Sequence, residues 1–178
     1  MSDLTSADRV RQLSGLKAAA GYFRVARNFP LAYDTGRGLS RLAPVLDLLN
    51  HEGLKRVTDD TLGEAVRFLR TALGTAYGGR DLLSAATKFL WLLHKDAVVI
   101  FDSQARAALK SPPGDYVVYL QLWRTRYAEA IPRVSQACRS TQVHLIMGPQ
   151  HADADAEWFR RRVFDIILWN VGSSARAA

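Results

Sequence analysis

The stretch ATKFLWLLHKDAVVIFDS, residues 86–103, is the part of the chain that most constrains the fold, because it is almost unbroken apolar sequence. Its first half belongs to a helical pattern over about 81–94 that is apolar on nearly every side, and such a helix usually lies centrally in a core. Its second half, DAVVIFDS, is short and apolar enough to predict a buried extended segment. Lys88 nevertheless lies inside the first apolar run, and Asp102 ends the second.

Helical spacing of apolar residues also dominates the rest of the chain. Convincing hairpin strands are missing, so we expect an all-α fold of seven or eight helices, forming one compact domain over 1–178. The loops are predicted at 29–38, at 74–81, at KSPPGD and at MGPQHADAD. In the first half of the chain, helices are predicted over 7–27, over 39–51, directly after the cap cluster TDDT, and over about 81–94. In the second half, they are predicted through QARAAL after Asp102, over 115 to about 130, from Pro132 onward, and over about 154–170, where Gly172 would be the C-terminal cap.

Composition narrows the class of protein. Cys138 is the single cysteine, so no disulfide can form within the chain, and a cytoplasmic location is expected. We expect no signal peptide and no membrane-spanning helix. The four histidines lack metal-site spacing, and no nucleotide-binding or serine-hydrolase motif is present, so neither a metal nor a cofactor is predicted. The net charge of +7 fits a polyanionic partner such as nucleic acid.

Lys88 has two interpretations. On the predicted helix it shares a face with Ser84 and Trp91, and the small Ser84 leaves room beside it. The lysine stem can pack on the core while its ammonium reaches solvent. Alternatively, the amine can lie in a pocket, where lysines act as nucleophiles.

Asp102 is open to two interpretations as well. An aspartate directly before SQARAAL is a suitable N-cap, and that role alone would explain it. Capping and catalysis are compatible, since a carboxylate fixed by backbone amides is rigid and could stabilise a developing cation.

The stretch SAATKFLWLLHKDAVVIFDSQARAAL, within residues 78–110, resembles the core of the helix-hairpin-helix DNA glycosylases, in particular their 8-oxoguanine branch. In that family a helix with a catalytic lysine is followed by a short apolar segment that ends in a catalytic aspartate capping the next helix. Lys88 and Asp102 occupy those two positions. The family also has a glycine-rich turn just before the lysine, whereas the matching LLSAAT has no glycine and the nearest are Gly78 and Gly79.

The resemblance implies a specific chemistry. The target nucleotide would leave the base stack, the Lys88 amine would attack the sugar carbon that bears the base, and Asp102 would stabilise the cationic centre. A Schiff base would form, and strand cleavage by β-elimination can follow. The expected function is therefore excision of an oxidised purine, with lyase activity as an addition. The alternative is a non-enzymatic helical module that binds nucleic acid or protein.

Several other residues are candidates for contact with DNA. Trp123 and Tyr127 lie one turn apart on a predicted helix, beside Arg124 and Arg126, although an amphipathic helix with a solvated basic face would show the same pattern. Ser84 and Trp91, which share the Lys88 face, and Arg106 are further candidates for contact with substrate or DNA, although core packing is the commoner role for each tryptophan. Asp165, inside VFDIILW, is interpreted as one half of a structural ion pair with Arg161 or Arg162.

Overall fold

The computed structural model describes Leu4 and residues 6–29, 41–140 and 155–174. In these residues the regular structure is helical and no strand occurs, which confirms the predicted all-α class with seven α-helices. The chain divides into two compact units, Met1–Val98 and Val99–Ala178. The expectation of a single domain over 1–178 stays a prediction. The predicted loop residues 30–38 and 147–154 lie outside the described part.

The first unit contains four helices, namely α1 (Arg9–Tyr22), α2 (Ala43–Leu49), α3 (Leu62–Ala76) and α4 (Leu83–Leu93). Short 3₁₀ turns lie at Ala26–Asn28 and Glu52–Leu54. Helix α3 packs against both α2 and α4, and α2 packs against α1. Every residue of α4 from Ala85 to Trp91 is buried, as its apolar character on all sides predicts. This helix is therefore the centre of the first core.

Helix α3 ends and α4 begins where the GTAYGGRD segment predicts a break. Gly78 and Gly79 both adopt positive φ angles, of 79° and 76°, which suit glycine. Asp81 then receives a two-pronged ion pair from Arg70, at 2.8 and 2.7 Å, and accepts a hydrogen bond from the Leu83 amide at 3.2 Å. The carboxylate thus satisfies an amide at the start of α4 and ties that start to α3.

Helix α1 is shorter than the predicted 7–27. It ends at Tyr22, and two residues later Arg24 adopts a φ of 54°. This left-handed conformation is uncommon for a residue with a side chain and turns the chain out of the helix. Asp8 caps the other end by accepting a hydrogen bond from the Val10 amide at 2.8 Å.

The second unit contains α5 (Ser103–Ala108), α6 (Tyr116–Ser140) and α7 (Glu157–Ser174). Helix α7 packs against both α5 and α6. Residues 99–101 form no regular structure and are buried, as predicted for the extended segment. The hydroxyls of two tyrosines on α6 donate to the carbonyls of this segment, Tyr116 to Val99 at 2.8 Å and Tyr119 to Ile100 at 2.9 Å. These bonds satisfy backbone groups that lack a neighbouring strand.

Two helix ends in the second unit were predicted wrongly. Pro132 lies inside α6 and does not begin a new helix. The buried stripe of α6 continues in phase past the proline, from Trp123 and Tyr127 to Val134 and Cys138, so packing on both sides offsets the lost hydrogen bond. Helix α7 likewise runs past the glycine that was predicted to end it.

Gly172 is buried within α7 and makes a close backbone contact with α5. A Cβ atom built on Gly172 would lie 1.9 Å from the carbonyl oxygen of Gln104. Glycine is therefore required at this position by the approach of two helices, and not by a helix cap.

Candidate functional site

Lys88 lies in the middle of the buried row of α4, and only 8% of the residue is exposed. Its Nζ donates a hydrogen bond of 3.0 Å to the Oγ of Ser84, one turn earlier on the same helix. This contact places Ser84 on the lysine face, as the helical spacing predicts. A charged group on a largely buried side chain needs such hydrogen-bond partners.

Trp91 lies one turn after Lys88 on α4 and is also buried. The ring of Phe23 meets the Trp91 ring edge-on, with centroids 5.9 Å apart. The Lys95 ammonium lies 5.8 Å from the centre of the Trp91 ring, within the range of a cation–π interaction. The end of α4 therefore combines aromatic rings with two lysines, within one unit.

Asp102 is the N-cap of α5, as predicted. Its carboxylate accepts a hydrogen bond of 2.9 Å from the Gln104 amide, and its backbone is extended, with φ −131° and ψ 143°. The buried segment before it is held by Tyr116 and Tyr119, while burial raises the pKa of both hydroxyls. Asp102 is thus fixed on both sides along the chain, by a pinned segment and by a helix.

Lys88 belongs to the first unit and Asp102 to the second. Each side chain is held by contacts inside its own unit. The expectation that the two converge on one pocket stays a prediction.

Arg106 lies on α5, one turn after Asp102. Its guanidinium donates to the carbonyl oxygen of Ser111 at 2.8 Å, beyond the end of the helix. In the structure it therefore helps to close the turn at Lys110, whose φ is 55°. Contact of Arg106 with DNA stays a prediction.

The predicted DNA-contacting cluster on α6 separates into buried and outer residues. Trp123 is fully buried, with its ring stacked on Tyr127 at a centroid distance of 4.8 Å. Tyr127 and, edge-on at 5.3 Å, Phe164 cover the Trp123 ring, so in this structure it has the core-packing role that was the alternative for this tryptophan. Arg126 is exposed and pairs with Glu129 at 3.0 Å. Arg124 is half-buried, and phosphate contact by these two arginines stays a prediction.

Asp165 is a buried carboxylate on α7 in the second unit. It accepts a hydrogen bond of 2.8 Å from the indole nitrogen of Trp123 and lies 3.9 Å from the guanidinium of Arg162. The ion pair with Arg162 confirms the structural interpretation of this residue. Burial raises the pKa of Asp165 to about 7, and the charge of Asp102 adds to that effect, while Arg162, the Trp123 hydrogen bond and Arg161 act in the opposite direction.

The two tyrosines that hold the segment before Asp102 were not predicted from the sequence. Their spacing was the available signal, since Tyr116 and Tyr119 share a face at the start of a helix, directly after SPPGD. A buried extended segment without a strand partner must find donors elsewhere, and tyrosine hydroxyls are suitable donors. The segment and the tyrosines together form the support of Asp102.

Among the described residues, no group of three or more histidine, cysteine, aspartate or glutamate side chains is placed to hold a metal ion. In the same part of the chain, no helix has both the length and the apolar character that crossing a bilayer requires. In comparisons with known proteins, no family model, no curated protein and no solved structure matches this chain.

Proposed function

We propose that the protein is a DNA glycosylase-like enzyme that removes an oxidised purine such as 8-oxoguanine, with Lys88 as the nucleophile and Asp102 as the stabilising carboxylate. The observation that carries the proposal is the state of Asp102, a carboxylate held by a helix amide at the end of a buried, tyrosine-pinned segment. A group held in this way is oriented before any substrate arrives. The motif resemblance adds the assignment of Lys88.

The chemistry follows from an amine and a fixed carboxylate. The Lys88 amine, once deprotonated, forms a bond to the sugar carbon that bears the base, and the bond to the base breaks with its electron pair leaving on the base. Positive charge develops on the sugar during this step, and Asp102 lowers its energy. The released base takes up the proton that the attacking nitrogen loses. The bond between the sugar carbon and the ring oxygen then breaks, its electron pair leaves on that oxygen, which takes up a proton, and the C=N bond of a Schiff base forms on Lys88. β-Elimination from the Schiff base expels the 3′-phosphate and so cleaves the strand.

Reductive trapping tests this proposal. The protein is incubated with duplex DNA carrying 8-oxoguanine and a hydride reductant, which makes a Schiff base permanent. We expect a covalent complex with the natural protein and none with Lys88→Gln. Lys55→Gln is the matched control, since Lys55 lies in the same unit, pairs with Glu52 and should not be needed for the adduct.

The panel of substrates decides between outcomes. Duplexes with uracil, an abasic site or an alkylated base belong in the same experiment, because failure with one lesion alone would only exclude that lesion. Trapping that survives Lys88→Gln would show that another amine reacts, and the assignment of Lys88 would be wrong.

The alternative is a non-enzymatic helical module that binds nucleic acid or protein. One observation favours it, namely that both charged groups have partners inside their own units, Lys88 with Ser84 and Asp102 with the Gln104 amide. A purely structural role requires no more than this. Absence of an adduct and of base release with every substrate in the panel would support this alternative.

A further inference from the structure

Tyr22 is the last residue of α1, and 74% of it is exposed. Its ring meets the ring of Phe23 edge-on, with centroids 5.1 Å apart and planes at 78°. A large aromatic side chain in this position gains little from burial, so its contribution to folding is small. The exposed ring is nevertheless supported from one side by a second aromatic ring.

The support continues inward. Phe23 meets the ring of Trp91 edge-on at 5.9 Å and 84°, and Trp91 is buried on α4, one turn after Lys88. Tyr22, Phe23 and Trp91 therefore form a row of rings that runs from the surface of the first unit to the face of α4 that carries Lys88. We call these three residues the aromatic row.

Cationic side chains accompany the aromatic row. Lys95 places its ammonium 5.8 Å from the centre of the Trp91 ring. Arg24 is exposed and follows Phe23 directly, in a left-handed conformation in which its amide donates to the Gly21 carbonyl at 3.0 Å. Tyr22 is thus the exposed ring of the row, Arg24 lies two residues after it in the sequence, and Lys95 lies against the buried Trp91 ring at the inner end. Aromatic rings combined with cations are what proteins use to bind unpaired nucleotides, since bases stack on the rings and phosphates contact the cations.

We propose that Tyr22, supported by Phe23, is a stacking surface for an unpaired nucleobase, and that Arg24 and Lys95 contact the phosphates of the same strand. The choice of DNA as the partner rests on the proposed function. The aromatic row also relates this surface to the proposed nucleophile, because a strand bound at Tyr22 lies on the unit that carries Lys88. This surface provides the exposed aromatic contact that the buried Trp123 does not.

Binding of a short fluorescein-labelled oligodeoxythymidylate to the full chain, followed by fluorescence anisotropy at low salt, tests the proposal. We expect Tyr22→Ala to weaken the affinity by about fivefold to a hundredfold, the range for loss of one base–aromatic stack. Tyr22→Phe should retain most of the affinity because it keeps the ring. Val10→Ala, at an equally exposed apolar position of α1, is the matched control and should bind as the natural protein does.

Three outcomes would overturn the proposal. They are an unchanged affinity of Tyr22→Ala, an equal loss in Tyr22→Phe, which would assign the effect to the hydroxyl, and a natural protein that does not bind the oligonucleotide. Trapping by Lys88→Gln and oligonucleotide binding by Tyr22→Ala test the proposed reaction and this surface separately. If binding depends on Tyr22 but no lesion gives an adduct, the surface stands and the glycosylase proposal fails. If Lys88-dependent trapping occurs with full binding by Tyr22→Ala, only the surface is wrong.

Discussion

At the scale of single residues, Asp102 serves the fold and the proposed chemistry through the same carboxylate. Its bond to the Gln104 amide satisfies one of the free amides of α5, and its negative charge is what a developing cation would require. The two roles separate on substitution, because asparagine keeps the capping oxygen and removes the charge.

Asp102→Asn should therefore leave the fold almost intact while slowing base release. We expect the free energy of unfolding to change by less than about 1 kcal/mol, since asparagine is a good N-cap. Base release from lesion-containing DNA should slow by orders of magnitude. Urea unfolding and single-turnover excision assays measure the two effects. Asp102→Ala is the comparison that loses the cap as well, and excision by Asp102→Asn at the natural rate would contradict the assigned role.

Asp165 should give the second unit a pH-dependent stability. Burial raises its pKa from the ordinary 3.8 to about 7, so between these values the folded state holds a proton that the unfolded state releases. The contribution of this proton to the free energy of unfolding is fully present below about pH 4 and is lost as the pH rises to about 7. Trp123, Arg161, Arg162 and Asp102 are the groups that act on the carboxyl, besides its burial.

Asp165→Asn removes this titration and keeps an oxygen for the Trp123 indole. Denaturant unfolding at pH 4, 5, 6, 7 and 8 should show the natural protein losing stability relative to the variant across the acidic part of the series, by about a few kcal/mol in total. The difference should then level off above pH 7. A constant difference between the two proteins over the whole series would show that Asp165 keeps one charge state.

At the scale of the helices, the contact between α5 and α7 depends on the missing side chain of Gly172. A Cβ at this position would lie 1.9 Å from the Gln104 carbonyl oxygen, and backbone cannot move aside cheaply. We expect Gly172→Ala to lower the free energy of unfolding by about 1–3 kcal/mol. Gly63→Ala on α3 is the matched control, because nothing lies within 4 Å of its added Cβ, and it should stabilise the protein by about 0.5–1 kcal/mol.

Unfolding of both glycine variants by urea measures these changes. Gln104 is also the residue whose amide holds Asp102, so Gly172→Ala should disturb the cap that the proposed reaction needs. Equal effects of the two substitutions would show that the close approach has no energetic consequence.

Pro132→Ala tests the continuity of α6. The proline is exposed, so the substitution loses little packing and restores an amide that can donate within the helix. We expect a gain of about 1–3 kcal/mol in the free energy of unfolding. Chemical denaturation measures it, and a loss of stability would indicate that the chain bends or restarts at Pro132.

Features that depend on residues close together in the sequence were mostly predicted correctly, whereas several features that depend on contacts between distant residues were not. The core helix α4, the burial of the segment before Asp102 and the Asp102 cap were predictable, because local apolar runs and cap residues determine them. Pro132 and Gly172 were interpreted as helix ends because their local preferences say so, whereas their actual places depend on packing along α6 and on Gln104, far away in sequence. Trp123 was predicted as a candidate for contact with DNA, with core packing as the alternative, since a stripe of aromatic and basic residues does not show which side α7 will cover.

At the scale of the whole molecule, the net charge of +7 should dominate the affinity for duplex DNA. Part of the basic charge is already used inside the protein, as in the pairs Arg9–Asp47, Arg70–Asp81 and Arg126–Glu129. The remaining cations would bind phosphates and release counterions, so the logarithm of the binding constant should fall linearly with the logarithm of the salt concentration, with a slope of about −0.9 for each phosphate contacted.

Titrations of a labelled duplex at several salt concentrations measure this slope. Arg124→Gln should reduce its magnitude by about 0.9 if Arg124 contacts one phosphate, and the reduction should be the same for duplexes of unrelated sequence, since phosphate contacts carry no sequence information. Glu64→Gln, on α3, is the comparison that changes the net charge by one in the other direction without removing a cation. An affinity that does not respond to salt, or a natural protein that binds no duplex at low salt, would favour the protein-binding alternative over a DNA-acting enzyme.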